Sequence, residues 1–239
     1  MKILSRLAIS FLMVGFLVPA LGPITVTAGE IKVGSFVSAK GFGSRFVIMP
    51  WMDRARKDLA KIGSKTTIKA YWGGSLGKSP FQQYDLVKGG VADVAWVMAG
   101  YTPGQFPELE IVEIPFLFRT ANEAAVVTWK LYEKGLLSGF QDTHLVGMFA
   151  GAPAGIFSRD PISKLEDLKN RKVRRVGATQ GDWLRTLGAV PERASSRKMN
   201  EKLNRGTFSA VLQGWSGMKT FKSFGLVNHT VDVPVGTLG

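Results

Sequence analysis

The chain carries few residues able to do covalent chemistry. It has no Cys and only two His, His144 and His229. That removes thiolate nucleophiles and disulfides, and leaves too little for a metal cluster. Neither His stands in a recognisable arrangement with a nucleophile and an orienting carboxylate, so each reads as a surface or structural residue. Ser158, Ser195 and Ser209 lack the strand–turn–helix setting of a nucleophile elbow. Glu108, Glu110 and Glu113 come closest to a set of paired carboxylates, but all three fall around a loop or strand edge. Gly73, Gly74 and Gly77 match neither phosphate-loop spacing. These residue types point away from an enzyme, and we expect neither a cofactor nor a metal.

Charge is the more informative feature. The 31 Lys and Arg against 18 Asp and Glu give a formal +13. One concentration is Lys169, Arg171, Lys172, Arg174 and Arg175; a second is Arg193, Arg197, Lys198, Lys202 and Arg205. Neither belongs to a nucleic-acid reader motif, so most of this charge reads as a solvated face. Arg174 and Arg175 are different, because they follow one another in a strand-like stretch. Strand alternation sends their side chains to opposite sides. One must face inward, where a lone guanidinium is costly and a bidentate carboxylate ligand would suit its fork.

The elements that would position such a residue are legible. Lys2 and Arg6 precede an uncharged, mainly apolar run over residues 7–18, and Val26, Thr27 and Ala28 end the stretch. This is the pattern of a secretory leader. The run is shorter than the ~20 apolar residues that cross a bilayer, which favours a cleaved leader, residues 1–28, over an anchor. Its loss would lower the charge by two. Beyond it, strands are expected over residues 31–36, 66–72 and 91–97. Helices are expected over 41–62, where Pro50 should bend the helix or mark its start, over 80–88, and over 120–134, the last opened by a capping box at Thr120 and Glu123. A central strand and crossover follow within 144–157, then a short helix behind a capping box at Ser163 and Glu166. Further strands are expected over 172–176 and 208–212, and an extended piece from Val190. Helices are expected over 181–187, 198–205 and 217–224. Alternating strands and helices mean an α/β fold with mostly parallel sheets. Two units, residues 29–154 and 155–239, should leave a cleft between them, the usual place for a small-molecule site.

Several stretches, in this order, resemble one family. They are YWGGSLG at 71–77, QQYDLVKGGVADVAWV at 82–97, GYTPGQFPELEIVEIPFLF at 100–118, DPISKLEDLKNRKVRRVG at 160–177 and KLNRGTFSAVLQGW at 202–215. Together they look like the DctP-type solute-binding subunit of TRAP (tripartite ATP-independent periplasmic) transporters. The resemblance implies a type II periplasmic-binding-protein fold closing over an organic acid, such as a C4-dicarboxylate, which is passed to integral-membrane TRAP permease subunits. It implies a periplasmic location, a monomer or weak dimer, and no nucleic-acid partner. A ligand sensor serving a signalling receptor is the alternative, since its cleft would be the same.

The family's carboxylate-clamping arginine lies in a K-[IVL]-R pattern, which Lys172, Val173 and Arg174 carry. Gln213 holds the approximate place of a polar ligand contact. Ser209 stands where the family usually has Asp, and residues 151–155 offer no second arginine. These departures point to an aromatic cleft wall, with Trp72, Trp96, Tyr101, Phe116, Trp183 and Trp215 as candidates. An apolar or aromatic monocarboxylate is then as credible a ligand as succinate. Family members also carry further C-terminal sequence that returns to the first unit, so the chain reads as a C-terminally truncated form. N-terminal sequencing of exported protein should begin near Gly29; finding Met1 retained would refute the leader.

Overall fold

The computed structural model describes residues 29–102 and 104–236. The expected leader, residues 1–28, lies outside the described residues. Two sheets carry the fold. The first has three parallel strands in the order β2-β1-β3: β1 (Glu30–Gly34), β2 (Thr67–Tyr71) and β3 (Val94–Ala95). Helix α1 (Met49–Lys61) joins β1 to β2, and its Met52 packs with Val33, Ile48 and Ile68. Pro50 sits in the first turn of α1, where a missing N–H costs nothing. A π-helical turn, Ser44–Ile48, leads into it, so the expected 41–62 helix exists in two conformations joined at the proline. Helix α2 (Gln83–Lys88) precedes β3, and α3 (Ala121–Glu133) follows it.

The second sheet has the order β6-β5-β7-β4-β8. Its parallel half comprises β5 (Lys172–Arg175), β6 (Val190–Arg193) and β7 (Ala210–Gln213). Helices α4 (Ala178–Thr186) and α5 (Ser196–Asn204) connect them, and α6 (Trp215–Thr220) follows β7. Val173, Ala210 and Leu212 lie in the buried core on one side, with Phe157, Met199, Leu203 and Val211 in that on the other. The central strand β7, Ala-Val-Leu-Gln, is buried along its whole length because both faces are covered, whereas β5 and β6 carry charged residues.

Several expectations need correction. Strand β4 covers only Gly155–Ser158 of the expected 144–157 stretch, and it runs antiparallel to β7 and to β8 (His229–Val231). Strand β8 was not anticipated; its three residues alternate too briefly to register as a pattern. The 91–97 strand shortens to β3 because the Asp93 carboxylate, rather than a backbone carbonyl, accepts the Lys32 N–H at 2.7 Å. The expected 80–88 helix opens with a 3-10 turn (Pro80–Gln82), and Ser79 before it makes no side-chain cap. The Thr120 cap forms, but Glu123 reaches back to the Arg119 N–H rather than to Thr120. Ser163 and Glu166 do not pair either: Asp167 accepts from the N–H groups of Ser163 and Lys164.

The two sheets meet through a 3-10 segment, Pro107–Glu113. Glu108 turns to Ser138, Glu110 accepts from the Thr179 hydroxyl at 2.8 Å, and Glu113 is buried, so the three carboxylates do not form an acid–base pair. Glu113 lies in a notch between Gly100 and Gly177, where any side chain would collide with it. Its carboxylate faces the first turn of α4, accepting from the Gln180 N–H at 3.4 Å. Burial raises its pKa from 4.5 to about 7, aided by Glu110 and opposed by the Gln180 N–H, Arg175 and Arg174. A carboxyl that binds its proton more tightly when folded stabilises the fold fully below its ordinary value and loses that contribution as pH rises through about 7. The swing amounts to about 3 kcal/mol. The thermal midpoint should therefore fall between pH 5 and pH 8, and Glu113→Gln should flatten that dependence.

Candidate functional site

The C-terminal ends of the parallel strands from both sheets converge at one place, as α/β folds arrange their sites. Strand β5 directs Arg174 into the junction with no exposed surface. Its Nε donates to the Ala194 carbonyl just beyond β6 at 2.8 Å, and Nη1 donates to the Leu212 carbonyl in β7 at 2.9 Å. Nη2 donates to the hydroxyls of Ser196 at 3.1 Å and Tyr101 at 3.3 Å. Every partner is neutral, and among the described residues no carboxylate forms an ion pair with it. Burial lowers the pKa of Arg174, while Tyr101 and Glu113 oppose the shift; a guanidinium nonetheless keeps its proton in proteins. The result is a buried, hydrogen-bonded cation without a counter-ion.

Gln213, at the end of β7, joins the same cluster. Its Nε2 donates to Ser196 Oγ at 3.0 Å, while its Oε1 accepts from the Gly214 N–H at 3.2 Å. Tyr101, from the 3-10 turn Ala99–Tyr101 after β3, reaches across from the first sheet. Its hydroxyl accepts from the Ser196 N–H and lies 2.9 Å from Ser196 Oγ. Phe36, Trp96 and Phe81 surround the phenol. Phe36 packs on Trp96 with centroids 5.2 Å apart and edge-on to Tyr101 at 5.9 Å, and Phe81 meets Tyr101 at 5.1 Å. The arrangement offers a fixed positive charge and polar hydrogens beside aromatic walls, chemistry suited to holding an apolar carboxylate rather than transforming it.

Four of the sequence candidates, Arg174, Gln213, Tyr101 and Trp96, are thus brought together. The others are not. Trp72 packs into the core of the first sheet with Val33, Ile48 and Ile68. Trp183 packs against the core of the second sheet. Trp215 is 44% exposed, edge-on to Phe157 and tilted against Phe224, with its Nε1 donating to Asp232. Phe116 is exposed at a φ of 65°. Arg175 turns to the opposite side from Arg174, as alternation requires, but is half-buried along α4 rather than freely solvated, donating to the Gly177 carbonyl at 3.0 Å.

Ser196, Phe36 and Phe81 escaped the sequence reading, as did two arginines from the second basic stretch. Arg197 donates across the junction to the carbonyls of Phe36 and Gly73, both at 2.8 Å. Arg193 lies 4.4 Å over the Phe81 ring and donates to the Tyr101 carbonyl. Nothing in a charge run distinguishes these from Lys198 and Arg205, which pair with Glu201 on the surface. Two apolar hollows flank the fold, and the first of them shares Trp96 with this cluster. One, of about 300 Å³, adjoins β3 and counts Trp51, Phe106, Phe140 and His144 among its walls. The other, of about 520 Å³, is lined by Phe116, Leu168, Trp183 and Val235. His144 meets no nucleophile there, and His229 is exposed in β8.

A family model for DctP, bacterial extracellular solute-binding protein, family 7, matches residues 55–231. Among solved structures, a TRAP solute-binding protein from Rhodoferax ferrireducens T118 in complex with copurified benzoate superposes with a TM-score of 0.79 at 27% identity, over 87% of this chain and 66% of that one. A marine-metagenome TRAP solute-binding protein specific for aromatic acid ligands, co-crystallised with 3-hydroxybenzoate, gives 0.80 at 26% identity, over 88% and 67%. The outer membrane transporter protein TsaT of Comamonas testosteroni is 23% identical over 196 residues, which are 80% of this chain and 56% of that protein. The chain thus spans about two thirds of those solved structures and little more than half of that relative. With a matching family model over most of its length, two α/β units and the fold of TRAP solute-binding proteins, the chain belongs to the DctP family of bacterial extracellular solute-binding proteins.

Proposed function

We propose that this protein captures an organic carboxylate, an aromatic acid ahead of a C4-dicarboxylate, between two units, residues 29–154 and 155–239. It then delivers the ligand to a TRAP membrane permease. The observation that carries this reading is the buried Arg174 charge, left without a counter-ion beside Phe36, Phe81, Trp96 and Tyr101. A carboxylate would complete the guanidinium electrostatically while its ring packed on the aromatic walls. The acids held by the Rhodoferax and marine-metagenome proteins have that chemistry. Arg193 and Arg197 tie the units together across the same junction, so ligand entry requires them to part and release requires them to part again. The protein works in the periplasm, exported by its leader, as a monomer or weak dimer. Its partners are the permease subunits, and it catalyses no reaction.

Calorimetry with benzoate, 3-hydroxybenzoate and succinate tests the reading. Truncating one member of a desolvated charge pair costs ~2–5 kcal/mol, so Arg174→Ala should weaken binding of the preferred acid by about 30-fold to several-thousand-fold. Arg175→Ala, whose side chain runs along α4, should cost far less. Folded protein that binds none of these acids would refute the function. Equal losses in the two variants would refute the assignment to Arg174.

A further inference from the structure

Phe42 and Phe46 differ from the other exposed apolar side chains because they lie together. Their ring centroids are 4.8 Å apart, and the residues are 54% and 60% exposed. The guanidinium of Arg45 lies 5.4 Å from the centroid of the Phe46 ring. The backbone holds both rings outward. Gly43, between them, lies so close against Trp96 that a Cβ there would come within 2.6 Å of the indole, and Ser44 beside it is buried. With that face turned inward and the π-helical turn Ser44–Ile48 continuing from it, positions 42 and 46 face solvent. Single apolar residues are ordinary on a surface, but an aromatic pair with a guanidinium beside it has the composition of an interface.

The same segment reaches the second unit. The Phe42 N–H donates to the Thr220 hydroxyl at the end of α6, 3.3 Å away and 178 positions along the chain. A Cβ on Gly41 would come within 3.2 Å of the Thr220 methyl. Lys219 and Lys222 flank Thr220 in sequence and are exposed, as are Lys40 and Arg45 on the first unit. Among the described residues none of these four cations is in an ion pair. Phenyl rings from one unit and positive charge from both therefore meet along one seam, and they meet only while the units are together.

We propose that the Phe42–Phe46 pair, with the cations around the Thr220 contact, is the surface that docks on the TRAP permease, against an apolar and acidic patch of that protein, when the two units are closed on ligand. This rests on the delivery function proposed above and names the surface that performs it. Charge selects the occupant. A second copy applied face to face would set these four cations against four more, which is unfavourable. Anionic lipid would attract the cations whether or not the two halves of the surface are side by side. A shaped protein partner gains its full contact only when they are, because Thr220 positions the segment that carries Phe42. Such a partner binds the closed protein better than the open one and so discriminates loaded from empty.

The probe is the pair of permease subunits from the same organism, reconstituted in phosphatidylcholine vesicles, with the tightest-bound of benzoate, 3-hydroxybenzoate and succinate as the transported acid. Phe42→Ser/Phe46→Ser should lower uptake at limiting binding protein by about tenfold or more, the scale of losing aromatic anchors from an interface. Its own affinity for the acid, by calorimetry, should stay within about threefold of wild type. Lys219→Glu/Lys222→Glu should also lower uptake, by a factor that shrinks as salt rises. Ile62→Ser, which removes a still more exposed apolar side chain beyond the end of α1, should leave uptake unchanged. Circular dichroism should confirm folding, and Phe46→Ser alone serves if the double variant is not folded. Wild-type uptake in the phenylalanine variant overturns the proposal, as does an equal loss in Ile62→Ser. Binding of wild type, but not of that variant, to permease-free vesicles containing phosphatidylglycerol assigns the surface to lipid and overturns it. A dimer that the variant loses assigns it to a second copy and overturns it as well. Wild-type protein that binds no carboxylate refutes the function itself; wild-type delivery matched by every variant spares the function and refutes only this surface.

Discussion

A guanidinium charge held out of water without a counter-ion is the constraint on which the rest of this site depends. Moving a lone charge into a protein interior is expensive unless its hydrogens are engaged and its field is answered. The structure engages Arg174 with two main-chain carbonyls, from Ala194 and Leu212, and two hydroxyls, from Ser196 and Tyr101. Those four acceptors come from β7, from the β6–α5 connection, from the first turn of α5 and from the 3-10 turn after β3. The side chain is therefore fixed only when the parallel strands and the inter-unit junction are all in place.

The junction follows a second electrostatic logic. Glu113 brings a carboxylate from the first unit to the start of α4, where unpaired N–H groups favour negative charge. Its enclosure between Gly100 and Gly177 removes so much water that the proton competes with the helix for it. Arg193 and Arg197 reach the other way, taking carbonyls of Tyr101, Phe36 and Gly73. These polar contacts surround an apolar one, in which Phe36, Val37 and Tyr101 pack on Val176.

Much of this was legible from the chain alone. Strand β5 with its adjacent arginines, the cap at Thr120 and the alternation of strands with helices all depend on neighbours in sequence. Local sterics and period decide them, and the structure agrees. The antiparallel β4–β8 pair was not legible, because three residues of β8 carry no period and their partner lies some seventy residues earlier. Nor were the aromatics separable. Trp72, Trp183 and Trp215 have the same residue type as Trp96, yet only Trp96 packs beside Phe36 at the junction.

The sequence by itself determined that Arg174 and Arg175 must diverge and that one would be buried, because β-strand alternation is a property of the backbone. It also determined the α/β class and the family. Only the tertiary structure decided that Ser196 is the meeting point of Arg174, Gln213 and Tyr101, and that Arg197 spans the two units while Lys198 beside it stays in solvent. The reason is physical. A hydrogen bond is specified by distances of tenths of an ångström between groups far apart in the chain, and those distances exist only after packing has placed the ends of β3, β5, β6 and β7 side by side.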